Sequence, residues 1–273
     1  MLQNADAGPM VSLRELELRF PAGPSPVISQ FSLDIRRGEF ISFVGPSGCG
    51  KSTLLRLIAG LLQPTSGAVT FAEADRPAGP HPPAVGFVFQ HPTLLPWRTA
   101  RQNLTLPLEL GDAPGQNAAD LDSRLQRLLT QVGLSAADAD KRPAQLSGGM
   151  QMRLSLARAL IIQPAVLLLD EPLAAVDDLM RLRLQEDISR VHCEQQLTTI
   201  LVTHNLHEAA FLGDRVVVLG GNPAAVKSQI LISAPHPRTA GFRAEEVFAD
   251  TVRQLASELF GTRLSAGGGQ FSE

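Results

Sequence analysis

Residues 45–53 read GPSGCGKST, which fits the spacing G-x-x-x-x-G-K-[ST]. An apolar run, EFISFVG (39–45), precedes it, and KSTLLRLIAGLL (51–62) follows with leucines at helical spacing. Strand, Gly-rich turn and helix in that order let backbone N–H groups converge on phosphate oxygens, with the helix N-terminus adding partial positive charge. Gly45, Pro46, Ser47, Gly48, Cys49, Gly50, Lys51, Ser52 and Thr53 would line such a cradle. Lys51 would reach the β- and γ-phosphates and the Ser52 hydroxyl would ligate Mg²⁺. The bland alternative is a Gly-rich turn ahead of a helix. Cys49 has no neighbouring base and reads as a small loop residue, not a nucleophile.

A second segment, VLLLDEP (166–172), is an apolar strand that ends in two acids. Unpaired carboxylates are costly at the end of a buried strand, so the pair needs a task. Asp170 can hold Mg²⁺, and Glu171 is placed to act as general base on a water attacking the γ-phosphate. A helix N-terminus that favours acids is the competing explanation. The third segment, LSGGMQ (146–151), opens the helix MQMRLSLARALI. Ser147 and the backbone of Gly148 and Gly149 could contact phosphate, although alone the motif reads as an ordinary N-cap. One triphosphate needs one cradle, so a second phosphate-binding turn implies a nucleotide shared between two copies of the chain.

Short strands must hold these segments. VSLRELELRF (11–20) and FSLDI (31–35) alternate as half-exposed strands do, the second with Phe31, Leu33 and Ile35 on one face. VGFVF (85–89), VLLLD (166–170), TTILVT (198–203) and RVVVL (215–219) are apolar runs separated by helical stretches. This pattern predicts a mainly parallel sheet with helices around it. From 91 to 165 the helical period dominates, with a stripe of Leu121, Leu125, Leu128, Leu129 and Val132. Pro64 and Gly67 are expected to end the first helix, residues 73–84 and 111–116 to form a loop and a turn, and GGGQFSE at the end to fray. The stretch 244–260 has helical spacing through Val247, Val252, Leu255 and Leu259.

The chain has 273 residues, 44% of them hydrophobic, enough for a sizeable core and against wholesale disorder. Its 24 Lys and Arg against 27 Asp and Glu leave a net charge of -3, which argues against a nucleic-acid partner. Two cysteines, Cys49 and Cys193, cannot build a disulfide scaffold and point to a reducing compartment. No apolar run approaches the ~20 residues that span a bilayer, and MLQNADAGPM lacks the apolar core of a secretory signal. A cytoplasmic location is expected, with any membrane role exercised through a partner.

The order of motifs over residues 10–220 resembles the ATP-binding subunit of ABC transporters. GPSGCGKST resembles its Walker A motif, LSGGMQ its signature and VLLLDEP its Walker B. Gln90 resembles the Q-loop glutamine, AAVD (174–177) the D-loop, and VTHNLHEA (202–209) the H-loop with His204. The resemblance implies an α/β phosphate-loop NTPase core, an antiparallel N-terminal β subdomain and a helical subdomain inserted at about 91–163. The ATP-binding domain would span 10–240 and a helical tail 241–273. Two copies would sandwich two ATPs head to tail, so that Ser147, Gly148 and Gly149 act on the partner's nucleotide. Gln90 would sense Mg²⁺ and the γ-phosphate, His204 would position the attacking water with Glu171, and Asp177 would link the two sites.

Phe20 stands where the family keeps an aromatic to stack on adenine, the chain having no Tyr; a core Phe at a strand end is the competing reading. The insertion PAGPSP (21–26) behind it complicates that match. HPTLLPWRTARQNLTLPLEL (91–110), DRVVVL (214–219) and Pro237-Arg238 resemble importers for nitrate, sulfonate, taurine and related small organics, with a thiamine pyrimidine precursor as an alternative cargo. Trp97 would then pack on a permease segment or fill the helical core. The partners implied are a second copy, an integral membrane permease and an extracytoplasmic binding protein, at the cytoplasmic face of the inner membrane. Met152 replaces the usual Gln, Asn205 the usual Asp, Val176 the usual Leu of the D-loop, and Ala224 the usual Gly. None of these is a catalytic group. Of the rival readings, a stand-alone kinase would need no signature motif. A soluble ABC ATPase would usually carry two nucleotide domains, coiled-coil inserts or a basic surface, against one nucleotide domain and a net charge of -3 here.

Overall fold

The computed structural model describes residues 8–21, 25–72, 84–111 and 118–261. Strands β1 (Val11–Leu18), β2 (Ile28–Ile35) and β4 (Ser66–Phe71) form a three-stranded antiparallel sheet in the order β2-β1-β4. The other sheet has six strands in the order β5-β6-β7-β3-β8-β9. They are β3 (Phe40–Val44), β5 (Val85–Val88), β6 (Val166–Asp170), β7 (Thr198–Val202), β8 (Arg215–Gly220) and β9 (Ala225–Leu231). All pair in parallel except β8 with β9. Every residue of β3, β6 and β7 is buried, as expected of parallel strands covered on both faces. Phe31, Leu33 and Ile35 point inward from β2 while the residues between them face out.

The helices are α1 (Lys51–Ile58), α2 (Ala100–Leu110), α3 (Ala118–Gln131), α4 (Gly148–Leu160), α5 (Asp178–Gln195), α6 (Leu206–Leu212) and α7 (Glu246–Phe260). Among the described residues no helix is long and apolar enough to cross a membrane. Leu125, Leu128, Leu129 and Val132 are buried, with Leu121 packed beside them, so the stripe of α3 faces the core as expected.

Several expectations need correction. The first helix stops at Ile58, before Pro64, because Gly60 turns into the left-handed region, and Leu61 is exposed. The helical period assigned from residue 91 begins only at Ala100. The buried face of α7 is Phe248, Thr251 and Leu255, whereas Val247 is exposed, a stripe displaced by one residue at its start. Strands β4 and β9 were not expected: both alternate weakly and lie at sheet edges. Apart from residues 84 and 111, the expected loop at 73–84 and turn at 111–116 lie outside the described residues, as does the end GGGQFSE.

Beyond β9 the chain returns under the sheet, held by one arginine. Arg238 is buried, and its Nη1 donates to the carbonyls of Ala210, Phe211 and Gly213 while Nη2 donates to that of Ala234. Ala210 and Phe211 lie in the last turn of α6, whose carbonyls lack helical partners. Its guanidinium also lies 3.7 Å from Asp214 Oδ1 and 4.8 Å from the Phe242 ring centre. Burial pulls its pKa down to about 10, opposed by Asp214 and Glu245, so it remains charged at neutral pH. Arg238→Ala is expected to lose about 3–5 kcal/mol, because it leaves the carbonyls of Ala210, Phe211, Gly213 and Ala234 without their donor. That corresponds to a drop of about 6–20 °C in melting temperature by calorimetry.

Candidate functional site

The parallel register gathers the sequence motifs at one edge of the sheet. Phe43 pairs with Val202, and Val202 with Asp170, so the loops after β3, β6 and β7 leave at the same level. Val88 pairs with Leu169, which brings Gln90, two residues on, to the level of Glu171. Ligands of open α/β sheets bind at this carboxyl edge.

After β3 the chain curls around its own lysine. Lys51 is buried, and its ammonium donates to the carbonyls of Gly45 at 2.8 Å and Pro46 at 2.9 Å. Gly50 caps α1 at φ 100°, where an added Cβ would also meet the Val27 side chain at 3.2 Å. A residue other than Gly would be strained there on both counts. Cys49 is a free thiol buried under the loop, a packing residue as expected.

Ser52 Oγ donates to Asp170 Oδ1 at 2.7 Å, so the first turn of α1 meets the tip of β6. Asp170 is buried, and burial pushes its pKa up, with Glu171 adding to the effect, against the Ser52 hydrogen bond and the charges of Arg56 and Lys51. A hydroxyl and an under-compensated carboxylate in contact are hard oxygen donors that fit Mg²⁺. Glu171 follows at φ 47°, a left-handed conformation uncommon for a side-chain-bearing residue, its N–H bonded to the Val202 carbonyl. Such strain concentrates at functional sites. DEP is therefore not a helix N-terminus. Glu171 Oε2 lies 2.9 Å from His204 Nδ1, and the imidazole is largely exposed. His207, also exposed, lies in the first turn of α6, apart from this pair.

Two residues that local patterns did not reveal hold this arrangement. Arg181 donates to the carbonyls of Leu173 and Val176, to Asp178, and approaches Glu208 at 3.6 Å. Glu208 is buried, accepts from Thr203 Oγ1 at 2.6 Å, and burial raises its pKa. Arg181 and Glu208 thus brace the turn after Glu171 against the segment carrying His204. Asn205 caps α6, accepting from the N–H groups of His207 and Glu208, a task an Asp would also perform. Asp177 caps α5 through Met180 N.

The Ser-Gly-Gly turn sits on another surface element. Ser147 is exposed and caps α4, accepting from Met150 N at 3.3 Å. Gly148 is exposed with open space where a Cβ would stand. At Gly149 an added Cβ would approach Met180 Cγ to 2.7 Å, so the close packing of α5 requires glycine there.

The profile of the ABC transporter family matches residues 28–174, more than half of the chain. The chain belongs to the ABC transporter family. It is 42% identical to the nitrate import ATP-binding protein NrtD of Synechococcus elongatus over 77% of this chain and 76% of that protein. It is 43% identical to the aliphatic sulfonates import ATP-binding protein SsuB of Rhodopseudomonas palustris, over 85% and 77% respectively. The bicarbonate transport ATP-binding protein CmpC of Synechocystis is 44% identical over 84% of this chain. The chain spans about a third of the length of CmpC and of the nitrate protein NrtC. Among solved structures, a dimeric ATP-binding cassette in a post-hydrolysis state with ADP and phosphate superposes with TM-score 0.71 at 30% identity, over 83% of this chain and all of that one.

In this ABC chain Phe20 is 43% exposed, which removes the reading as a core residue. It lies just beyond Leu18, whose carbonyl accepts from Val27 N, and Val27 packs against Gly50. Trp97 is 68% exposed, so it does not fill the helical core. Its loop is built from behind: Asn103 bonds Leu95 N and the carbonyls of Leu95, Arg98 and Thr99, and Arg158 bonds Pro92 and Thr93. Met152, the departure after the signature, is simply a core residue.

Proposed function

We propose that this chain hydrolyses ATP as one half of a homodimer and thereby drives uptake of a small anion through a separate membrane permease. The observation that carries the reading is the juxtaposition of the Glu171–His204 pair with the Ser52–Asp170 pair at one sheet edge. Lys51 and the N–H groups of residues 45–53 would hold the phosphates, and Phe20 would stack on the adenine. Ser52, Asp170 and Gln90 would hold Mg²⁺, which supplies charge neutralisation on the phosphates. Glu171 would take a proton from the attacking water, oriented by His204. Ser147, Gly148 and Gly149 would close on the nucleotide of the second copy, with Asp177 at the junction.

Nitrate, bicarbonate and alkyl sulfonates, named for the relatives, are all small oxyanions, which supports that cargo class. Exposed Trp97, on a loop that α2 and α4 hold firmly, is a suitable anchor for a permease segment, since aromatic residues dominate such contacts. An extracytoplasmic binding protein would deliver the cargo, and the chain would sit at the cytoplasmic face of the inner membrane. Lys51→Ala tests the nucleotide assignment. Loss of charged phosphate contacts worth about 1.5–3 kcal/mol is expected to weaken ATP binding about 10–150-fold by calorimetry; unchanged affinity would refute the role.

A further inference from the structure

We propose that His192, Asp214 and His236 form a binding site for a divalent transition-metal ion of the zinc class, at the sheet edge opposite the nucleotide segments. Each residue offers one ligand atom, and the three atoms lie within 4.8 Å of one another. His192 lies on α5, Asp214 just before β8, and His236 in the segment returning beneath the sheet. Phe40, the first residue of β3, marks the level: its N–H donates to Asp214 Oδ2 and its carbonyl accepts from Asp214 N. The phosphate loop leaves the other end of that strand.

The supporting hydrogen bonds are those of a ligand set. Thr199 Oγ1 lies 3.0 Å from His192 Nδ1, Ser189 Oγ lies 2.8 Å from His236 Nδ1, and Phe40 N lies 2.9 Å from Asp214 Oδ2. Each side chain is thus held by one atom while the other, Nε2 or Oδ1, remains for the shared space. Outer partners of this kind fix the tautomer and orientation of metal-binding histidines. His236 is a buried side chain, 7% exposed, whose Nε2 is sealed from solvent without a hydrogen bond. Asp214 Oδ1 lies 3.4 Å from it. Tetrahedral bonds of 2.0–2.2 Å place neighbouring ligands about 3.3–3.5 Å apart, so this pair already spans one edge of such a site.

Two imidazoles with one carboxylate select zinc-like ions over Mg²⁺ or Ca²⁺, which take oxygen ligands. Asp214 is partly exposed, which gives an entry route and a fourth position for water. Arg238 Nη2 lies 3.7 Å from Asp214 Oδ1. Its Nη1 and Nη2 bond backbone carbonyls and its Nε is buried without a partner, while its charge weakens the hold on a dication. Bound metal would tie α5, the start of β8 and the returning segment together.

The test is titration of the full chain, purified without a histidine tag, stripped by chelator and free of nucleotide, with Co²⁺. One ion per chain with visible ligand-field bands of tetrahedral type, displaced by Zn²⁺, is expected. His236→Gln and His192→Gln are each expected to weaken binding by at least about 10–100-fold, and Asp170→Asn to leave it unchanged. His236→Gln alters the less central of the two histidines and decides the matter if His192→Gln does not fold. Absence of stoichiometric binding, binding that survives His236→Gln, or binding lost in Asp170→Asn would overturn the assignment. The result does not depend on ATP hydrolysis, so it stands or falls apart from the proposed function.

Discussion

Glu171→Gln is expected to slow ATP hydrolysis about 10²–10⁴-fold, the range for removing a general base, while ATP binding persists. The amide keeps the size of the side chain, so the turn at φ 47° and the contact with His204 can survive. What is lost is the capacity to accept a proton. Lys51, Ser52 and Asp170 are untouched, and the phosphate and Mg²⁺ contacts proposed for them do not depend on the Glu171 charge. The substituted protein should therefore accumulate as an ATP-bound dimer, seen as a doubled mass by light scattering with ATP and Mg²⁺. Steady-state phosphate release measures the rate. Turnover at the native rate would move the base to another residue, and the buried, raised-pKa carboxyl of Glu208, five residues from Thr203, would be the next to test.

The edge proposed to bind nucleotide was legible because each motif is short and sits at the tip of a buried apolar strand. Lys51, Ser52, Asp170, Glu171 and His204 come together through parallel register alone, and VLLLD or TTILVT announces a strand regardless of what surrounds it. Residues that act over distance were not legible. Arg181 and Arg158 are ordinary helical arginines in the sequence; only folding shows that they bond backbone carbonyls of the turn after Glu171 and of the loop bearing Trp97. Edge strands β4 and β9 were missed because one face of each meets solvent and their apolar pattern is weak. Phe20 and Trp97 show the limit from the other side. For both, a place in the core was the competing reading, and the exposure that refutes it is a property of the fold.

Ser147→Arg is expected to abolish ATP-dependent dimerisation and reduce hydrolysis to background while each monomer still binds ATP. Ser147 is exposed, and beside it Gly148 leaves open space, so among the described residues nothing occupies this helix start. A guanidinium on a long stem would fill the seat that a second copy's phosphates need. The substitution also removes the cap on Met150 N, a cost of about 0.5–2 kcal/mol to α4, too small to unfold the domain; a melting curve separates that loss from the loss of pairing. Mixing gives the sharper result. Where Ser147 serves the partner's nucleotide, a Ser147→Arg chain supplies a sound phosphate loop and a Lys51→Ala chain a sound Ser-Gly-Gly turn, so their mixture rebuilds one complete site and regains hydrolysis that neither has alone. Were the turn to act on the nucleotide of its own chain, every molecule in the mixture would carry one fault in its only site. No activity would return, and the shared-nucleotide arrangement would have to be given up.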